Sequence, residues 1–169
     1  TRSARVRDRR VATDATELLC ADHREVQGLF AEYRKLALAG VPGSERRPLA
    51  EELCTLLTVH AAIEEEIFYP EARAAGVEAD LLDEAEVEHA AAKDLVAQLR
   101  DMNAGDALYD AKVKVLGEYV DHHVAEEEGA LFASCRASAM DLRAVGVRLA
   151  ARHAELMSEM SEGMEEVGA

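Results

Sequence analysis

The sequence predicts an all-α protein, an antiparallel up-down four-helix bundle with an additional C-terminal helix. Three observations lead to this fold class. Ala, Leu, Glu, Arg and Val dominate the 169 residues, and together they form a helix-forming mixture. Apolar residues recur at helical spacing in four long stretches, which are separated by short segments containing Gly, Pro or Asn. No stretch of useful length alternates apolar and polar residues, as a half-buried strand would.

The four long helices are taken from the apolar pattern and from the residues that begin and end it. They are predicted over about residues 15–39, 45–75, 79–103 and 107–136. Asp14 can cap the first helix, and Gly76 can end the second. Because the connecting loops are short, consecutive helices are expected to run in opposite directions.

The domain organisation follows from a change of composition at each end of the bundle. Residues 1–12 carry five arginines and one acid without an apolar period, which predicts a flexible basic N-terminal arm. Residues 13–136 form the bundle, a length that suits a single domain with a real core. Residues 137–169 are predicted to form a C-terminal amphipathic helix that packs on the bundle.

Charge and cysteine content limit the class of partner and the compartment. The formal net charge is −15, from 34 acidic and 19 basic residues, which argues against nucleic acid and against an anionic membrane as partners. No apolar run is long enough to span a bilayer. The three cysteines, Cys20, Cys54 and Cys135, are scattered and form no C-x-x-C pair. This pattern fits the reducing cytoplasm, so a cytoplasmic location is predicted.

One motif occurs twice and organises the rest of the chain. His60 precedes Glu64 by four residues, and His123 precedes Glu127 by the same spacing. Residues four apart share one face of a helix, so each pair presents an imidazole and a carboxylate together. Both pairs lie among apolar residues, where buried polar groups need partners. The two stretches also align further along, with Tyr69 matching Phe132.

Each long helix carries one histidine near its middle. These histidines are His23, His60, His89 and His123. A single histidine on an apolar stripe is more often a hydrogen-bonded core residue than a ligand. Four of them with two matched glutamates are different, because a bundle core rarely holds so many polar groups without a use. At one level of an antiparallel bundle they would form a site for iron, manganese or zinc.

The number of donor atoms favours two metal ions. Two bridging carboxylates supply four donors, four imidazoles supply four more, and a bridging oxide or hydroxide adds one bond to each ion. Two six-coordinate irons would then keep about one vacancy each. Such a vacancy is where dioxygen, peroxide, nitric oxide or water could bind.

The order of these motifs resembles the hemerythrin-like (HHE) cation-binding domain over about residues 14–136. The resemblance rests on Asp22-His23-Arg24-Glu25, on His60-Ala-Ala-Ile-Glu64-Glu65-Glu66 with Tyr69-Pro70, on Glu88-His89, and on His123-Val-Ala-Glu126-Glu127 with Leu131-Phe132. It implies a four-helix bundle with a non-haem centre of two iron ions, oxo- or hydroxo-bridged. The implied ligands are His23, His60, Glu64, His89, His123 and Glu127.

Two departures separate this chain from the oxygen-carrying hemerythrins. Those proteins have a fifth histidine four residues from that of the third helix, whereas Ala85 and Lys93 stand four residues from His89 here. Their last carboxylate is usually an aspartate in an H-x-x-x-x-D spacing, whereas this chain has Glu127. The sequence therefore resembles the bacterial hemerythrin-like group more than the oxygen carriers.

The functional prediction is a protein that binds dioxygen, peroxide or nitric oxide, in oxygen or redox sensing or in oxidative or nitrosative stress defence. One alternative is a peroxide-decomposing enzyme of catalase or peroxidase type, and another is an iron-sensing or iron-storage module. Any signal would pass through a separate partner protein.

Tyr119 is the remaining candidate for the chemistry of the site. It lies four residues before His123, on the same face of the predicted helix. Its phenol could fill the core, donate a hydrogen bond to a bound oxygen species, or ligate a metal.

Overall fold

The computed structural model describes residues 14–167, and within this range the chain is helical without any strand. The predicted basic arm over 1–12 lies outside the described residues. The helices are α1 (Ala15–Leu38), α2 (Gly43–Ile63), α3 (Tyr69–Ala74), α4 (Ala79–Asp101), α5 (Tyr109–Glu126), α6 (Phe132–Ala137) and α7 (Leu142–Val167). Among the described helices, none combines the length and the apolar character that a membrane crossing requires.

The ends of the helices follow from local hydrogen bonding. Asp14 caps α1, because its Oδ1 accepts the backbone N–H of Glu17 at 3.0 Å. Gly76 has a φ of +80°, a left-handed conformation that glycine adopts without strain. Its N–H donates to the carbonyl of Arg73, and the N–H of Val77 donates to that of Ala72, which closes α3. The predicted cap and the predicted stop are therefore both confirmed.

Two of the predicted long helices differ from simple α-helices in the same way. Each contains five π-helical residues, Glu64–Phe68 between α2 and α3 and Glu127–Leu131 between α5 and α6. In the first π-helical segment, the N–H of Tyr69 donates to the carbonyl of Glu64, five residues back. In the second, the N–H of Phe132 donates to the carbonyl of Glu127. Each segment thus begins at a glutamate of the repeated motif and is followed by an aromatic residue.

The helices pack so that α1 contacts α2 and α5, and α4 contacts the same two helices. The last helix, α7, lies against α1, α2 and the first π-helical segment. Arg152 of α7 donates to both carboxylate oxygens of Glu66 in that segment, and Arg148 pairs with Glu71 of α3. The last helix therefore packs on the half of the protein that contains Glu64.

The apolar core consists of two clusters with polar residues between them. One cluster uses residues that precede His23 on α1 and follow His60 on α2, such as Leu19 and Ile63. The other uses residues that follow His23 and precede His60, such as Val26 and Leu53. The buried histidines and glutamates of the repeated motif therefore form a layer across the middle of the core.

Candidate metal centre

Four histidines from four helices meet in this layer, and each is at most 8% exposed. They form two pairs. His23 of α1 and His60 of α2 place their Nε2 atoms 3.1 Å apart. His89 of α4 and His123 of α5 place theirs 3.2 Å apart. The four predicted histidines are therefore brought together, with every Nε2 atom facing the centre.

Two buried glutamates connect the histidine pairs. Glu64 places Oε1 at 3.0 Å from His60 Nε2 and Oε2 at 3.1 Å from His89 Nε2. Glu127 places Oε2 at 3.1 Å from His23 Nε2 and at 3.5 Å from His123 Nε2. Each carboxylate thus contacts one histidine from each pair, which is the arrangement of a bridging ligand.

Every histidine directs its other ring nitrogen, Nδ1, at a further carboxylate. The partners are Glu128 for His23 at 2.8 Å, Asp22 for His60 at 3.4 Å, Glu65 for His89 at 2.9 Å, and Glu88 for His123 at 2.7 Å. An ionised carboxylate only accepts hydrogen bonds, so each Nδ1 carries the proton. In the neutral imidazole the Nε2 atom is then a bare lone pair, as metal ligation requires.

The centre consequently collects more acceptors than donors. Four imidazole lone pairs and two carboxylates converge, and Glu64 Oε1 and Glu127 Oε2 are buried without a hydrogen-bond partner. Such groups repel one another unless protons or cations lie between them. Metal bonds of about 2.1 Å at tetrahedral angles place two donors about 3.4 Å apart, close to the spacings found here. The residues present therefore fit metal cations.

The pKa directions agree with this distribution of charge. Burial alone would lower the pKa of His60, but the charge of Glu64 and the hydrogen bond to Asp22 outweigh it and raise the pKa well above its ordinary value. Burial would raise the pKa of Glu64, but His60 and His89 hold it well below its ordinary value. In the absence of a metal, the raised pKa of His60 favours a proton between its imidazole and the neighbouring carboxylates.

Tyr69 is a central residue that the sequence pattern did not assign to the site. Its hydroxyl lies 3.0 Å from Glu127 Oε1, 3.2 Å from Glu64 Oε2 and 3.3 Å from His89 Nε2. The five-residue spacing from Glu64 places Tyr69 on another face of an α-helix but on the same face of a π-helix. The signal that could have found it is Tyr69-Pro70, because proline lacks the N–H that an unbroken α-helix needs there.

The site is built as two similar halves. Asp22-His23 on α1 corresponds to Glu88-His89 on α4, and the motif beginning at His60 corresponds to the one beginning at His123. In each half, the acid that precedes a histidine on one helix contacts the histidine of the other helix. Asp22 of α1 contacts His60 of α2, and Glu88 of α4 contacts His123 of α5. These two acids were also missed as partners. The signal was an acidic residue directly before each of two histidines.

A small apolar cavity of about 50 Å³ borders the histidines. All four histidines line it, together with Val26, Leu57, Ala61, Ala92, Val96, Val120 and Val124. A water molecule needs about 10–15 Å³ of such space, so the cavity admits a ligand of two or three atoms. It is too small for a larger metabolite. Space for a small apolar ligand is therefore present beside the centre.

Tyr119 lines the same cavity but exposes 47% of its surface. It therefore stands at the outer part of the cavity, whereas Tyr69 lies in the centre. A part for Tyr119 as a ligand or hydrogen-bond donor stays a prediction.

A buried layer of histidines and carboxylates across an all-helical core defines a helical protein with a candidate site for cations. The hemerythrin HHE cation binding domain family matches residues 14–135 of the chain. The chain belongs to this family.

Two known proteins are similar to this chain, one by structure and one by sequence. The crystal structure of a hemerythrin HHE cation binding domain-containing protein, the Rv2633c homolog from Mycobacterium kansasii, superimposes with a TM-score of 0.74 at 25% identity. The match covers 92% of this chain and 94% of that one. A DNA nickase from Nostoc sp. (strain PCC 7120 / SAG 25.82 / UTEX 2576) is 28% identical over 123 residues. Those residues are 71% of this chain but only 33% of the nickase, so the likeness concerns one part of that protein.

Proposed function

We propose that this chain holds a non-haem centre of two iron ions and uses it to bind dioxygen, peroxide or nitric oxide. His23 and His60 would ligate one ion, and His89 and His123 the other. Glu64 and Glu127 would bridge the two ions. Imidazole and carboxylate donors suit iron, and no thiolate is needed.

The observation that carries this proposal is the pairing of the Nε2 atoms. Each histidine pair has its own Nε2–Nε2 contact, of 3.1 or 3.2 Å, and each carboxylate reaches both pairs. A single ion at one histidine pair would leave the Nε2 lone pairs of the other histidine pair without a cation. Two ions satisfy all six groups.

The residues around the centre would prepare it for a small ligand. The four carboxylates at the Nδ1 atoms fix the imidazole rings and raise their basicity. The valines and alanines of the cavity keep larger molecules out. When bound, the iron supplies redox chemistry and open coordination positions. Tyr69 lies where its hydroxyl can donate one hydrogen bond to a bridging carboxylate.

The finer architecture supports the same function. We propose that α1, α2, α4 and α5 form an antiparallel up-down bundle over 13–136, on which α7 packs. The two core clusters favour this arrangement, because their residues follow one another in opposite order along α1 and along α2. The free cysteines suit the cytoplasm as the compartment.

The biological role proposed is oxygen or redox sensing, or defence against oxidative or nitrosative stress. Weak decomposition of peroxide at the same centre is the alternative with enzymatic turnover. The buried Tyr69 hydroxyl supports peroxide decomposition, because a phenol beside the centre can exchange a proton with a bound ligand.

The experiment that tests the proposal is metal content together with the ultraviolet–visible spectrum of protein purified from iron-supplemented cells. About two irons per chain are expected, and Glu64→Ala and His89→Ala should each lower bound iron well below this level. Glu66→Ala is the matched control, because Glu66 pairs with Arg152 on the surface. Full iron in both ligand variants, or zinc alone in the unmutated protein, would contradict the proposal. Peroxide turnover by the loaded protein then separates the enzyme from the sensor.

A further inference from the structure

A second group of metal-type donors lies on the outside of the protein, next to the buried centre. His122 of α5 places Nε2 at 3.3 Å from Glu88 Oε1 and at 3.5 Å from Glu126 Oε1. One donor atom of each of the three residues lies within 4.8 Å of the others. The side chains of His122 and Glu126 are 65% and 46% exposed, so a cation from solvent reaches them directly.

The spacing of these donors fits a first-row divalent cation. Ligand bonds of about 2.1 Å at tetrahedral angles separate two donors by about 3.4 Å, which agrees with both distances. One imidazole with two carboxylates suits iron, manganese, cobalt or zinc, and the remaining positions would be filled by water. A net charge of −15 raises the local concentration of cations at such a surface.

The outer group is connected to the buried centre by a shared residue. Glu88 contacts His122 through Oε1 and accepts the Nδ1–H of His123 at 2.7 Å through Oε2. One carboxylate therefore touches the outer donors and a histidine of the centre at the same time.

A crevice provides a second and independent connection. It is about 10 Å³ and is lined by Glu88 and Glu126 from the outer group and by His123 and Glu127 from the centre. Glu127 is 2% exposed, and its Oε2 has no hydrogen-bond partner. This Oε2 atom faces the Nε2 atoms of His23 and His123, so the Glu127 carboxylate joins the crevice to the donors of the centre.

The equivalent positions in the other half of the described chain are apolar. In the repeat, His122 corresponds to Val59 and Glu126 to Ile63, and both of these residues are buried. On that half, α7 packs against α2 and the first π-helical segment. His122 and Glu126 therefore add exposed polar donors to the half that contains Glu127, at positions that are apolar beside Glu64.

We propose that Glu88, His122 and Glu126 form an external binding site for a divalent cation, through which metal enters the buried centre. This inference rests on the proposed function, because it assumes that the centre takes up metal. Glu88 passes the ion from the outer donors to the crevice beside His123 and Glu127.

The test uses the full chain, freed of metal, and Co²⁺ as the probe. The rise of visible Co²⁺ absorption gives the rate of loading, and metal analysis gives the final content. His122→Ala with Glu126→Gln should slow loading about tenfold at limiting Co²⁺ and leave the final content and spectrum unchanged. Glu118→Gln is the control, because it removes an exposed charge from the same helix outside the group. An unchanged rate in the double variant would overturn the inference.

A second measurement separates this inference from the proposed function. Protein whose centre is already loaded is titrated with Zn²⁺ by calorimetry, and one further ion per chain is expected. This binding should be lost in the double variant and kept in Glu118→Gln. If the unmutated protein takes up no buried metal but binds Zn²⁺ through His122, the proposed function fails and the external site stands as a binding site alone. Zn²⁺ binding that is the same with and without His122 overturns the external site.

Discussion

Tyr69 and Phe132 occupy equivalent positions in the two halves of the site, but only Tyr69 brings a hydroxyl to it. The Tyr69 ring lies against His89 with ring centroids 5.5 Å apart, and the Phe132 ring stacks on His23 at 6.1 Å. The Tyr69 hydroxyl reaches both Glu64 and Glu127. The two histidine pairs therefore have different surroundings.

Replacement of Tyr69 by phenylalanine is expected to destabilise the metal-free protein. The change leaves a buried carboxylate oxygen without its donor, which costs about 1–3 kcal/mol. In a domain of this size, each kcal/mol lowers Tm by about 2–4 °C. Thermal unfolding of the metal-free variant measures the effect. Tyr119→Phe, which alters an exposed phenol, should leave Tm within about 1 °C of the unmutated value. Equal Tm values for Tyr69→Phe and the unmutated protein would contradict the hydrogen bonds described.

Glu65→Gln is expected to weaken metal binding by about 10–100-fold, although Glu65 is not a proposed ligand. Its carboxylate accepts the Nδ1–H of His89 and so fixes the ring and its basicity. Competition with a chelator of known affinity measures the change. Glu66→Gln is the matched control, because the neighbouring Glu66 binds Arg152 instead of a histidine. The same affinity in both variants would show that the Nδ1 partner has no effect on the metal.

The stability of the metal-free protein is expected to fall as the pH rises above about 6.5. The pKa of His60 is higher in the folded protein than its ordinary value. The stabilisation from its proton is complete below the unfolded pKa, and it is lost as the pH rises through the folded pKa. The slope is about 1.4 kcal/mol per pH unit for each proton involved.

Unfolding of the metal-free and metal-loaded forms between pH 6 and pH 9 measures this loss. Cations replace the protons in the loaded form, so the gain in Tm from metal should grow with pH. His122→Ala removes an exposed histidine and should leave the metal-free profile unchanged. A Tm of the metal-free protein that rises over this range would contradict the prediction.

Asp110→Ala is expected to destabilise the fold without loss of metal. Asp110 accepts two hydrogen bonds from the buried Arg46, at 2.7 and 2.8 Å, and one from Tyr33 at 2.6 Å. Loss of a partner from a buried guanidinium costs about 2–4 kcal/mol. Chemical denaturation gives the free energy of unfolding. Asp121→Ala, on the exposed side of α5, should cost less than about 0.5 kcal/mol.

The pH dependence of this effect has the opposite sign to that of His60. Burial would raise the pKa of Asp110, but its bonds to Tyr33 and Arg46 lower it below 3.8. The stabilisation is therefore present above the ordinary pKa and lost as the pH falls through the lower, folded value. The difference between Asp110→Ala and the unmutated protein should shrink below about pH 4. A constant difference down to pH 2 would contradict the ion pair.

The parts of the site that obey α-helical spacing could be predicted from the sequence. His60 and Glu64 lie one turn apart on an apolar stripe, and the repeat at His123 and Glu127 makes the pattern specific. The family match over residues 14–135 and the similar solved structure confirm the prediction of an all-helical, hemerythrin-like fold. Tyr69 could not be placed in this way, because its position depends on a π-helical segment that apolar periodicity does not detect.

The hydrogen-bond partners of the histidines depend on packing between helices. Asp22 contacts His60 instead of its neighbour His23, and Glu65 contacts His89 of α4. Sequence spacing describes a single helix, so it cannot say which residue of another helix lies opposite. The sequence places acidic residues near the histidines, and only the assembled bundle shows which acid contacts which ring.

The contact of each glutamate with both histidine pairs has a consequence for how two metal ions would bind one after the other. His23 and His60 come from the first half and His89 and His123 from the second, yet Glu64 and Glu127 each contact both pairs. The first ion to bind would fix both carboxylates and so prepare the position of the second. We therefore expect positive cooperativity, with little of the singly loaded species at half saturation.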